Sequence, residues 1–221
     1  MPLVSKYDVA TPVARLLLLH GAGTPVQSVF FQQLIPLLNA QGIVVFTANF
    51  EFMQQTLLGK RQVAPKADKL LAELEQLIAA VPAEGQLPLW LGGKSLGGRV
   101  LSLYLSGTQV VPEVAGGVVY GYPLCPPAKA KDAAKAALTV TARSQCLQQL
   151  QRPLLICQGS RDSFGSAVSL KQVAGTAEVI ELTGADHDYA LPKRAGLPAE
   201  QAFGYAAEVC GEFIRRHGIT T

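Results

Sequence analysis

A serine set between two glycines is the residue pattern in this chain with the clearest chemical meaning. Gly93-Lys94-Ser95-Leu96-Gly97 has the spacing G-x-S-x-G. An apolar strand is predicted over residues 87–91 and a helix over 96–106, the strand–turn–helix context that the pattern requires. The turn bends so sharply that side chains two residues before and after the serine would collide, which explains glycine at both places. It lifts the hydroxyl above the sheet and aims the N–H of Leu96, at the helix start, toward a bound oxyanion. A glycine-rich turn holding an incidental serine is the competing reading, and the flanking strand and helix weigh against it.

A serine hydroxyl attacks carbonyl carbon only when a base takes its proton. The chain has three histidines. His217 stands beside Arg215 and Arg216 at the end of the last predicted helix and reads as a solvated charge. His20 opens His20-Gly21-Ala22-Gly23 after the first apolar strand, a loop of the kind whose backbone supplies a second oxyanion donor; its ring reads as structural. His187, in the loop 183–191 between the last strand and the last helix, is the candidate base. The candidate acid is Asp162, in Gln158-Gly159-Ser160-Arg161-Asp162 after the strand at 153–157. Asp186 and Asp188 flank His187 and are the alternatives, but side chains adjacent in sequence on a loop face each other poorly. The order Ser95, Asp162, His187 is that of nucleophile, acid and base on an α/β sheet.

The elements that must hold these residues alternate in type. Strands are predicted at 14–19, 43–47, 87–91, 114–120, 153–157 and 178–182. Helices are predicted from Ser28 to about Ala40 with a kink or break at Pro36, from Pro65 to Pro82, at 96–106, at 167–174 and at 198–217. The stretch 121–145 carries Pro123, Pro126, Pro127 and an Ala/Lys-rich segment, and reads as an excursion over the sheet. Strand alternating with helix means an α/β fold with a doubly wound, mostly parallel sheet. One domain over residues 1–221 is expected.

Composition agrees. Charged residues are 16% of the 221, hydrophobic residues 49% and mean hydropathy is +0.25, which excludes a disordered chain. The formal charge of +3 is too small and scattered to point to nucleic acid. Residues 16–50 hold no Asp, Glu, Lys or Arg, yet His20, glycines, prolines and glutamines interrupt the run too often for a membrane span. A strand buried on both faces explains it. The N-terminus lacks a signal-peptide pattern, and the four cysteines show no CxxC or metal spacing, so a cytoplasmic protein with reduced thiols is expected.

With these residues in view, nearly the whole chain resembles the α/β-hydrolase superfamily. More narrowly, it is similar to small hydrolases related to testis-expressed protein 30 and to the hydrolase-like subunit 3 of the NSL acetyltransferase complex. The resemblance rests on His20-Gly21-Ala22-Gly23, Phe50-Glu51-Phe52-Met53, Gly59-Lys60-Arg61, Gly93–Arg99, Gly121-Tyr122-Pro123-Leu124, Gln158–Gly165, Asp186-His187 and Lys193-Arg194. It implies Ser95, Asp162 and His187 as triad, and the backbone of Ala22 and Leu96 as oxyanion hole; at 221 residues the core fold uses nearly the whole chain, so a minimal fold with an open site and no large cap domain is expected. It implies no cofactor and no metal. Cys125 stands where the resemblance leads one to expect histidine.

The expected activity is hydrolysis of a small-molecule ester or thioester through an acyl-enzyme, with no nucleic-acid or membrane partner. The alternatives are a hydrolase-like binding or scaffold module, and a peptidase or acyltransferase on the same triad. Phe50, Phe52, Met53, Tyr122 and Cys125 are candidate pocket residues, the first three reading equally as core. Lys193 and Arg194 read as solvated charges or as a binding point for an acidic group, and Arg99 as an ion-pair partner.

Overall fold

Six-residue runs with no exposed side chain make the centre of the molecule. A computed structural model describes residues 4–192 and 200–218. Its seven strands are β1 (Ser5–Tyr7), β2 (Ala14–Leu19), β3 (Ile43–Ala48), β4 (Leu89–Lys94), β5 (Val114–Tyr120), β6 (Leu154–Gly159) and β7 (Glu178–Leu182). They pair in the order β1-β3-β2-β4-β5-β6-β7; only β1 runs antiparallel, and β2 to β7 are parallel. The chain steps outward from β2 to β3 and then back past β2 to β4. The carboxyl ends of β2 and β4 therefore lie side by side at a switch point, where open α/β sheets hold their sites.

Side chains alternate across each strand and feed two separate cores. Leu16 and Leu18 pack toward α1 (Val29–Ala40) and α8 (Gln201–His217). Leu17 and Leu19 pack toward α2 (Glu51–Leu57), α3 (Leu71–Ala79) and α4 (Leu96–Leu105). Strands β2 to β4 are buried throughout, which accounts for the missing charge where β2 and β3 cross residues 16–50. Among the described residues no helix is long and apolar enough to cross a membrane, and no cluster of three His, Cys, Asp or Glu could hold a metal ion.

Four features differ from the sequence expectation. Helix α1 runs unbroken through Pro36, on a face where both Pro36 and Gln32, the residue whose carbonyl it deprives of a partner, are exposed. The helix expected over 65–82 is a 3₁₀ turn (Ala67–Leu70) followed by α3. Helix α2 forms where no helix was expected, directly after β3. The excursion 121–145 folds as α5 (Pro127–Ala130) and α6 (Ala133–Ser144), with the Asp132 carboxylate capping α6 by accepting from the Lys135 N–H. This pair is a short flap in the connection from β5 to β6 and not a cap domain. A short helix α7 (Ala167–Lys171) follows β6. The expected start of the last helix at Pro198 lies outside the described residues.

Candidate active site

The turn between β4 and α4 holds Ser95 at φ 51°, ψ −108°, a backbone conformation costing about 1–3 kcal/mol for a non-glycine residue. Its neighbours allow the close approach. A Cβ on Gly93 would lie 2.4 Å from the carbonyl carbon of Gly97 and 2.4 Å from the nitrogen of Gly98. A Cβ on Gly97 would lie 2.7 Å from the His20 carbonyl oxygen. Two hydrogen bonds lock the turn in place: the Ser95 N–H donates to the Tyr120 carbonyl at 3.2 Å and the Gly97 N–H to the His20 carbonyl at 3.0 Å. The elbow is thus fastened to the ends of β5 and β2.

His187 reaches Ser95 from the loop after β7. Its Nε2 lies 3.0 Å from Ser95 Oγ, and its Nδ1 lies 2.7 Å from Asp162 Oδ2. The Asp162 side chain has no exposed surface. Its two oxygens also accept from the Gln158 amide at 2.9 Å and from the Phe164 N–H at 2.7 Å. Three donors thus hold the buried carboxylate in place. The Phe164 ring lies 4.3 Å from the His187 ring at 30°, covering one face of the imidazole. Gly121, at φ +73°, lets the chain pass beside that ring, since a Cβ there would lie 3.2 Å from His187 Nδ1.

The flanking acids have other partners. Asp186 Oδ1 accepts from the N–H groups of Asp188 and Ala190 at 2.9 Å each and shapes the loop. Asp188 pairs with Lys94 Nζ at 3.3 Å. Lys94 also donates to the His187 backbone carbonyl at 2.5 Å, from a position only 3% exposed. Burial pulls its ammonium below the usual lysine range, and Asp188 opposes that shift.

His20 has no exposed surface, and among the described residues its ring makes no hydrogen bond to Ser95. Its Nε2 accepts the Phe50 N–H at 2.9 Å, so Nδ1 carries the proton and donates to the Gly21 carbonyl at 2.6 Å. Burial pushes its pKa down to about 4 and keeps the ring neutral. It braces the loop that carries Ala22. Ala22 and Leu96 both line the space beside Ser95, and among the described residues neither N–H donates to a protein acceptor.

That space is an open cleft of about 660 Å³. None of the candidate pocket residues lines it. Phe50, Phe52 and Met53 are 0%, 7% and 4% exposed and belong to the α2–α4 core, because the helix they start turns them inward. Tyr122 is fully buried and binds the Arg143 carbonyl through its hydroxyl. Cys125 does not line the cleft, and its N–H donates to the Phe164 carbonyl. The walls come instead from the 3₁₀ turn, α4, α6 and Phe164. Arg99 is one of these wall residues. It bonds the Tyr122 hydroxyl and the Arg143 carbonyl, each at 3.2 Å, and has no ion-pair partner among the described residues. Arg143 escaped the sequence reading because the excursion offered no strand pattern; its place near the end of an Ala-rich segment was the available signal. Lys193 and Arg194 lie outside the described residues.

A parallel sheet with helices on both faces, a serine elbow at its switch point and a histidine on the loop after its last strand define the α/β-hydrolase class. Residues 12–215 match the family model described as an alpha/beta hydrolase domain, and the chain belongs to that family. Several solved structures share the fold. One described as a lipase in open form superposes with a TM-score of 0.71 at 14% identity, covering 98% of this chain and 94% of that one. Est1E from Butyrivibrio proteoclasticus with ferulic acid bound gives 0.68 at 12% identity, covering 98% and 96%. The esterase domain of a Rhodothermus marinus protein gives 0.60 at 21% identity, covering 94% and 89%. No curated protein matches the sequence.

Proposed function

We propose that this protein is a serine hydrolase of small esters or thioesters acting through an acyl-enzyme. The continuous chain of short contacts from Ser95 Oγ to His187 and on to Asp162 carries this reading. The esterases and lipases that share its fold are consistent with it, as is the sequence resemblance to the small hydrolases named above.

In the proposed reaction Ser95 Oγ bonds to the acyl carbon as its proton passes to His187 Nε2. The carbonyl oxygen becomes an oxyanion, and the free N–H groups of Ala22 and Leu96 stabilise it. The carbon–oxygen or carbon–sulfur bond to the leaving group then breaks, and the leaving group takes the proton from Nε2. Water attacks the acyl-enzyme, gives its proton to Nε2, and the acid departs as Ser95 recovers a proton. Asp162 accepts from Nδ1–H throughout and stabilises the imidazolium.

The test is covalent labelling by a fluorophosphonate probe, with turnover of a panel of p-nitrophenyl esters and acyl thioesters. Labelling that maps to Ser95 and vanishes in Ser95→Ala supports the proposal. A folded wild-type protein that takes no label is a binding module instead.

A further inference from the structure

We propose that the cleft beside Ser95 selects substrates that carry a second, anionic oxygen group, a carboxylate or phosphate, gripped by Arg99 and Arg143. The inference rests on the hydrolase reading for the reacting end of the substrate and concerns the other end.

Four cationic side chains line the cleft: Lys66, Arg99, Lys129 and Arg143; the one carboxylate on its wall is Asp68. The two arginines differ from the lysines in being half-buried and fixed. Arg99 lies one turn into α4 from Ser95, its N–H donating to the Ser95 carbonyl at 2.9 Å, and both residues line the cleft. Arg143, near the end of α6, is anchored by its Nη1 donating to the Pro123 carbonyl. Its own carbonyl accepts from Arg99 Nη1 and from the Tyr122 hydroxyl. One backbone oxygen therefore ties the second guanidinium's helix to the first guanidinium.

Each guanidinium keeps donors free after these bonds. Among the described residues neither lies within ion-pair distance of a carboxylate, Asp68 included. Burial, together with the nearby Arg99 charge, holds the Arg143 guanidinium below the usual arginine range. Two like charges held close without a counterion, on fixed side chains, favour an entering anion. Planar forks of this kind suit carboxylate and phosphate oxygens. The elbow places this grip about one helical turn from the reacting hydroxyl, so the anion belongs several bonds from the scissile carbonyl.

The experiment compares mono-p-nitrophenyl adipate with its methyl ester, which differs by the one charge. Wild type is expected to prefer the free acid by about tenfold or more in kcat/KM, a typical gain for a charge-assisted hydrogen bond. The preference should fall toward one in Arg99→Gln and Arg143→Gln and rise in Asp68→Asn, an exposed position. Inhibition by free adipate against inorganic phosphate tells which oxygen group fits. Equal or inverted preference in wild type, with Ser95 still labelled by fluorophosphonate, overturns this inference and leaves the hydrolase reading standing. If Ser95 takes no label, calorimetry with adipate and with phosphate on the folded protein decides: binding lost in the arginine variants sustains the anion site, and no binding removes it.

Discussion

The ammonium of Lys94 donates to the backbone carbonyl of His187, joining the residue before the nucleophile to the residue that holds the base. The x of the G-x-S motif thus fixes the distance between elbow and histidine loop. Lys94→Met removes that tie together with the desolvation cost of a buried cation. We expect kcat to fall about tenfold while Tm moves by less than about 4 °C. A loss of stability without a loss of Ser95 labelling rate would show that Lys94 is a core residue and no positioning residue.

Asp162→Asn presents an amide to donors that now meet carboxylate oxygen, and it disfavours the His187 tautomer with its proton on Nδ1. By analogy with serine triads, kcat should drop by a factor on the order of 10³–10⁴ with KM little changed. Asp186→Asn should have far less effect, since that carboxylate shapes the loop from two backbone donors. The pair of variants, assayed side by side, decides which acid serves the histidine.

Gly97→Ala drives a Cβ to 2.7 Å from one backbone oxygen and 2.9 Å from another. Neither atom can rotate away. A loss of at least about 3 kcal/mol is expected, seen as a fall in Tm of roughly 6 °C or more, or as failure to accumulate folded protein. A Gly97→Ala protein as stable as wild type would mean the elbow is not packed as described.

His20 provides a pH signature. Its folded pKa of about 4 lies below its ordinary 6.5, so from pH 6.5 down to about 4 the unfolded chain binds a proton that the folded chain refuses. Stability is therefore complete above pH 6.5 and declines as pH falls toward 4, by about 3 kcal/mol from this group. Urea unfolding of wild type and His20→Gln across that range should show the slope in the first and its reduction in the second.

These particulars explain what could be read from the chain and what could not. That Ser95, Asp162 and His187 meet was legible because each follows a strand whose apolar run ends in a telling residue: Gly93 before Ser95, Gly159 before Asp162, Leu182 before His187's loop. Steric demands at the elbow are local, and local demands leave local marks. The cleft wall was illegible for the opposite reason. Phe50, Phe52 and Met53 are apolar whether they face substrate or core, and which face they take depends on α2, a helix too short to show a period. Helix α6 gave no warning because its Leu138 is 73% exposed, so no buried stripe marks it. Strand β1 pairs through three exposed residues and carries no alternation at all.

The tie between Arg143 and Tyr122 has one more consequence. Ser95, Asp162 and His187 all lie on the sheet or the loops that leave it, whereas the flap from 121 to 145 lends the cleft a wall and none of these three. On the proposed reading Arg143 of the anion grip comes from a stretch of chain apart from the reacting groups, while Arg99 stays with the elbow. Grafting a different flap between Gly121 and Gln145 is the direct way to give this scaffold a new specificity while its chemistry is inherited unchanged.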